Sequence, residues 1–218
     1  MFEPTSTIGS QVYKALRLEI IEMRIKPGEK LSEAQIAEKF NVSRAPVRDA
    51  IRRLQQEKLV LVKPQVGTIV SEIYLDQASE ICVVRLLLEP HAAFVATDKV
   101  SEEDLGILKR AFDRMLTLQE GSEERVKLVF DTDEKLHKTI WMACNNREID
   151  NILTGYLDQK YRIQLATMGL ANRMAPSEKE MREIFEGLLA RDAERARQAM
   201  YTHVFNIKNA IDKVMQNR

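Results

Sequence analysis

The sequence predicts a mostly α-helical chain in two parts: residues 1–73 form a small unit of three helices closed by a β-hairpin, and residues 74–218 form an all-helical bundle. Three observations carry this. Apolar residues recur at helical spacing along most of the chain, while β-branched and apolar strand patterns are confined to residues 59–70. The charge is also divided. Residues 1–71 hold 12 Lys and Arg against 8 Asp and Glu, and residues 72–218 hold 21 against 25. A zero net charge overall argues against non-specific coating of nucleic acid, but a basic head on an acidic body points a phosphate-seeking surface to one end.

At 218 residues, 44% of them hydrophobic and 30% charged, the chain has enough apolar material for packed cores and no bias towards disorder. No apolar run approaches the ~20 residues that cross a bilayer, and the opening MFEPTSTIGS lacks the basic and apolar regions of a signal peptide. A cytoplasmic location without membrane association is expected. Cys82 and Cys144 lie in apolar helical patterns with no C-x-x-C spacing, which predicts buried thiols.

The elements follow in order. Val12, Ala15, Leu16, Ile20 and Met23 make one apolar stripe, so a first helix should run from Ser10 to about Arg24 and stop before Lys26-Pro27-Gly28-Glu29. Ser32-Glu33-Ala34-Gln35 has the form of a capping box and opens a second helix with Ile36, Ala37 and Phe40 inside. Asn41-Val42-Ser43 is a three-residue turn whose Val42 can plug the angle between two helices. Ser43 should cap a third helix, in which Pro46 is tolerated because first-turn amides have no intrahelical acceptor. Val47, Ile51 and Leu54 face inward; Arg44, Arg48 and Arg52, at i, i+4 and i+8, face outward. Three guanidinium groups on a helix that leaves a tight turn suit the major groove, although the same row can serve as a solvated basic face. Leu59–Lys63 and Thr68–Val70, separated by Pro64-Gln65-Val66-Gly67, read as a hairpin. Helix, helix-turn-helix and hairpin is the winged-helix order, with a wing tip from Lys63 to Gly67 lying against the DNA backbone or minor groove.

The run LSEAQIAEKFNVSRAPVRDAIRRLQQEKLVLVKPQVGTIV resembles the DNA-binding domain of GntR-family regulators, most specifically in VSRAPVRDAIRRL and the closing GTIV. The resemblance implies that Ser43, Arg44 and Arg48 contact DNA, assisted by Arg52 and the wing tip at Gly67. Some FadR-like members carry a DNA-contacting arginine where this chain has Ala34, so that contact is lost or moved here.

After Ser71 the pattern becomes about six amphipathic helices, at 75–98, 102–119, 123–145, 147–170, 178–190 and 193–216, with breaks at Gly121, Asn145-Asn146 and Ala175-Pro176. Ser101, Ser177 and Asp192 are candidate caps. Polar groups lodge in the apolar stripes. Asp133 and His137 share a face with Ile140, Trp141 and Cys144, and His203 falls among Met200, Val204, Ile207, Ile211 and Val214. Each unsatisfied buried polar group costs about 1–3 kcal/mol, so these residues should converge on a partner. A divalent metal such as zinc, nickel or manganese suits an imidazole and carboxylate set.

DEKLHKTIWMACNN is similar to the D-x-x-x-H segment of the FadR-type ligand-binding domain called FCD, and RDAERARQAMYTHV to its closing helix. That resemblance implies one Asp and three His ligands; Asp133, His137 and His203 match three, and Met181 stands at the fourth. Two readings stay open: a weaker three-ligand metal site, or a metal-free pocket that binds by charge and hydrogen bonds. Arg85, in the stripe of Ile81, Leu88 and Ala92, can pair with an effector carboxylate or with Glu89 or Asp133. His91 shows no partner pattern and reads as structural.

The resemblance further implies a homodimer on a double-stranded DNA operator, repression as the usual outcome, and a small carboxylate effector in the bundle. Two other classes compete. A metal-dependent enzyme built on Asp133, His137 and His203 would leave the winged head idle, and no H-E-x-x-H motif, nucleophile elbow or phosphate loop supports it. A packaging protein without a sensor would leave the buried polar cluster unexplained.

Overall fold

The computed structural model describes residues 7–163 and 174–216, and its contacts divide them into two units. The first takes the residues up to Tyr74 together with residues 161–163; the second takes residues 75–160 and 174–216.

The first unit runs α1 (Ile8–Ile21), β1 (Lys30–Leu31), α2 (Glu33–Phe40), α3 (Arg44–Gln56), β2 (Val60–Lys63) and β3 (Gly67–Val70). Its core joins Val12, Leu16 and Ile20 of α1 to Val47, Ala50, Ile51 and Leu54 of α3. Thr7 caps α1 through the Ser10 amide at 3.2 Å, and the helix ends at Ile21, three residues short of the expected Arg24. The reason is Met23, whose φ of 60° is left-handed and turns the chain towards β1 before Pro27 can. Tyr13 and Ile21 are buried, whereas Ala15 and Met23, expected on the inner stripe, are only half-buried.

Ser32 caps α2 through the Gln35 amide at 3.4 Å. Asn41, left-handed at φ 51°, closes α2, and Val42 packs on the core. Ser43 occupies the N-cap position of α3, but its side chain makes no capping bond, which corrects the expected cap.

The sheet has the order β1-β3-β2, both pairs antiparallel. At two residues, β1 is too short to carry an alternating pattern, and sequence reading missed it. Lys63 pairs with Gly67, so the wing loop is Pro64-Gln65-Val66, one residue shorter than expected. Gly67 has φ +100°, a conformation that costs a side chain strain, and this explains a glycine where the wing turns back.

The second unit comprises α4 (Leu75–Ala96), α5 (Glu102–Thr117), α6 (Glu123–Cys144), α7 (Arg147–Gly155), residues 157–160 of α8 (described over residues 157–163, of which 161–163 fall in the first unit), α9 (Met174–Leu189) and α10 (Ala193–Gln216). α10 packs along α4 and α9, and α6 along α4 and α5. Phe112, Leu136, Ile140, Trp141, Phe185 and Leu188 lie in the shared core, and both cysteines are buried. Ser101 and Asp192 cap their helices as expected, through the amides of Asp104 and Arg195, each at 3.0 Å.

Two expectations are corrected. Residues 147–170 are not one helix: α7 stops at Gly155, and Tyr156 turns with its amide bonded to the Leu153 carbonyl at 3.1 Å; residues 164–170 lie outside the described residues. α9 begins at Met174, so Ala175-Pro176 sits in its first turn, where a missing amide costs nothing, and Ser177 is buried inside the helix instead of capping it. Gly187 lets α9 approach α10: a Cβ there would lie 2.7 Å from the Ala196 backbone nitrogen.

Candidate functional site

The first candidate surface is the outer face of α3. The inward residues Val47, Ala50, Ile51 and Leu54 set the helix's rotation, which leaves Arg44, Arg48 and Arg52 in solvent on one side. Ser43 at the head of the helix is exposed, as are Lys63 and Gly67 of the wing. Arg48 is not idle: its Nε donates to Glu33 Oε2 of α2 at 2.9 Å. Arg52 stands 3.8 Å from Asp49 in an exposed pair one helical turn apart, and Arg44 pairs with no carboxylate among the described residues. Arg53, in contrast, lies over the Tyr13 ring at 3.8 Å and is turned to the protein. The hydrogen bond that Arg48 donates to Glu33 raises the pKa of its guanidinium.

The second candidate is buried in the helical unit. Asp133 and His137 are one turn apart on α6, and α10 brings His203 to them. Asp133 Oδ1 lies 3.5 Å from His137 Nε2 and 3.4 Å from His203 Nε2, and all three side chains are almost wholly buried. The donor atoms lie within 4.8 Å of one another.

Carboxylates hold the far side of each imidazole. His203 Nδ1 meets Glu180 Oε2 of α9 at 3.1 Å, and His137 Nδ1 comes within 2.8 Å of Glu89 Oε2 of α4, though without the alignment of a hydrogen bond. Glu89 is in turn gripped by Arg85, with Nε to Oε1 at 2.6 Å and Nη2 to Oε2 at 3.3 Å. The guanidinium is therefore paired with Glu89, one of the partners its position on α4 offered. Lys160 of α8 places Nζ 2.6 Å from Asp133 Oδ2.

These contacts move the protonation equilibria. Burial would raise the pKa of Asp133, but the Lys160 ammonium and the neighbouring imidazoles outweigh it and hold the carboxyl well below the usual range. Burial likewise opposes charge on Glu89, and Arg85 overcomes it. For Lys160 burial wins over Asp133, and its pKa is lowered. Burial lowers the pKa of His203, but the Asp133 and Glu180 carboxylates beside its two ring nitrogens outweigh it and raise the pKa.

The donor set fits a divalent cation. Asp133 Oδ1, His137 Nε2 and His203 Nε2 are buried without a hydrogen-bond partner among the described residues, and they face one another. A carboxylate on the outer nitrogen is how metal-bound imidazoles are commonly oriented. Met181 is fully buried in the apolar core with Ile184, Phe185 and Leu188.

Sequence reasoning named Asp133, His137, His203 and Arg85, and the structure brings all four into one network. It missed Lys160 and Glu180. Lys160 follows Leu157 and precedes Ile163 at three-residue intervals, so a charge inside an apolar stripe was the available signal. Glu180 carries no such mark, because it sits between buried Met181 and exposed Lys179. Exposed His91 lines a surface pocket with Leu87, Phe94 and Tyr201, away from this network.

Residues 8–70 match the model of bacterial regulatory proteins of the gntR family, and residues 80–206 match that of the FCD domain. The HTH-type transcriptional repressor RspR of Escherichia coli (strain K12) is 27% identical over 98% of this chain and 92% of its own length. An uncharacterized HTH-type transcriptional regulator of Bacillus subtilis (strain 168), YdhC, is 27% identical over 95% of this chain and 94% of its own. Among solved structures, E. coli McbR/YncC superposes with a TM-score of 0.77 at 20% identity, covering 97% of this chain and all of that one. At that identity the superposition speaks for the fold alone.

Proposed function

The chain belongs to the GntR family of bacterial regulatory proteins and carries its FCD domain, so it is a transcriptional regulator; on that premise we propose that it is a homodimeric repressor whose hold on an operator is set by a small carboxylate metabolite. The observation that carries the DNA half is the exposed row Arg44, Arg48 and Arg52 on a helix opened by Ser43, beside a wing bearing Lys63 and Gly67. Arg side chains in that position read guanine edges bidentately, while Lys63 and the amides near Gly67 meet phosphates.

The effector half rests on the buried network. Asp133, His137 and His203 would hold a divalent zinc, nickel or manganese ion, which when bound supplies an electrophilic anchor for a carboxylate. Arg85, paired with Glu89, steadies His137 through that carboxylate, and the guanidinium N–H groups that Glu89 leaves over are the ones proposed to meet the effector's carboxylate. A dimer is supported by apolar side chains left in solvent on two neighbouring helices, Val83, Leu87 and Phe94 on α4 with Tyr201 and Phe205 on α10. No helix among the described residues is long and apolar enough to cross a membrane, in keeping with a regulator that meets DNA in the cytoplasm.

A mobility-shift series over rising salt, with fragments from the chain's own genomic neighbourhood against random duplex, tests the reading. Strong preference for one fragment supports an operator-specific regulator; uniform affinity that decays with salt on every duplex would identify a packaging protein instead. A thermal-shift screen of small carboxylates tests the effector half, because a ligand of the native bundle raises its melting temperature by mass action.

A further inference from the structure

The cluster at Asp133 already contains a cation. Lys160 Nζ lies 2.6 Å from Asp133 Oδ2, with the two side chains 6% and 1% exposed. The carboxylate is thereby used on both sides. Oδ2 faces the ammonium, while Oδ1 faces His137 Nε2 and His203 Nε2 and makes no hydrogen bond among the described residues.

We propose that Lys160 is the resident cation of this site, an ammonium that occupies Asp133 in place of a metal and makes the chain a weak binder of divalent ions. The inference rests on the assignment of Asp133, His137 and His203 as a ligand set, and deepens it. In the buried network Arg85 lies 2.6 Å from Glu89 and Lys160 lies 2.6 Å from Asp133, so each of these two carboxylates already faces a cation of its own. A divalent ion between Oδ1 and the imidazoles would share its one carboxylate with an ammonium already in contact with it. Like charges a few ångströms apart in a low-dielectric interior repel far more strongly than in water. The ammonium must withdraw from Oδ2 or the ion binds poorly. The donor count points the same way, since three protein ligands come together here and Met181 is committed to the apolar core.

The test uses the full chain stripped with a chelator and titrated with Ni²⁺ by calorimetry, alongside Lys160→Met, which keeps the apolar stem and removes the charge. The variant should bind Ni²⁺ about tenfold more tightly or better. Without metal it should melt below the wild type, because Asp133 has lost its counter-ion, and Ni²⁺ should restore the loss. If the variant does not fold, Lys160→Gln, whose amide can still donate to Asp133, should give the same tightening. Equal or weaker Ni²⁺ binding in the folded variant, with a melting loss that Ni²⁺ does not repair, overturns the proposal and leaves Lys160 a structural partner. Should the wild type bind Ni²⁺ tightly, lose it in His137→Ala and be unchanged by Lys160→Met, the resident-cation idea fails and the ligand set stands. Should neither wild type nor variant bind, both fail together.

Discussion

Arg48 of α3 donates from its Nε to Glu33 of α2 at 2.9 Å, joining the two helices of the helix-turn-helix on the face they turn to solvent. For the DNA contact proposed for Arg48, the bond would order a flexible side chain in advance and so reduce the entropy lost on binding.

Arg48→Ala should therefore weaken operator binding by roughly ten- to a hundredfold, the range expected for one arginine on a base edge. Melting temperature and circular dichroism should stay close to wild type, because the side chain is 61% exposed. A mobility shift at unchanged affinity would remove α3 from the groove.

Lys63, at the exposed end of β2, is the residue proposed to meet phosphate, and phosphate contacts act on every sequence alike. Lys63→Ala should lower affinity for operator and random duplex by the same factor. The slope of log affinity against log salt should become shallower by about one. An effect confined to the operator would mean that the wing reads bases.

Glu180 holds the outer nitrogen of His203 at 3.1 Å and also accepts from Asn206 at 2.8 Å. Removing such an orienting carboxylate commonly costs about tenfold or more in metal affinity. Glu180→Ala should show that loss in a Ni²⁺ titration made on the Lys160→Met background. A change below about twofold would mean that His203 is held in place by packing alone.

Asp133 has its pKa lowered in the folded chain, burial being outweighed by Lys160 and the imidazoles. A depressed carboxyl adds stability that is complete above its unfolded value, near pH 4, and is lost as pH falls through the lower folded value. Urea midpoints followed from pH 7 to pH 2 should fall more steeply for wild type than for Asp133→Asn. Parallel curves would show that the ion pair adds nothing to folding.

Gly187 faces Ala196 across α9 and α10, where an added Cβ would sit 2.7 Å from backbone nitrogen and 2.8 Å from Cα. Backbone cannot step aside as a side-chain tip does, so Gly187→Ala should destabilise the helical unit by about 1–3 kcal/mol in spite of alanine's better helix propensity. Denaturant unfolding measures it; a stabilised variant would mean that the two helices separate freely.

Periodicity and turn chemistry in the sequence determined the helix-turn-helix, the hairpin and the row of arginines, because each depends on residues within a few positions of one another. Asp133, His137 and His203 were legible for a related reason: a polar residue in an apolar stripe must meet something. What they meet was decided by tertiary structure. Lys160 reaches Asp133 across 27 positions of sequence and Glu180 reaches His203 across 23, and neither distance is encoded in any local pattern. Strand β1 escaped for the same reason, since two residues have no period and become a strand only when β3 supplies their hydrogen bonds. The end of α7 and the early start of α9 likewise depended on which turn the packed bundle could accept around Gly155 and Pro176.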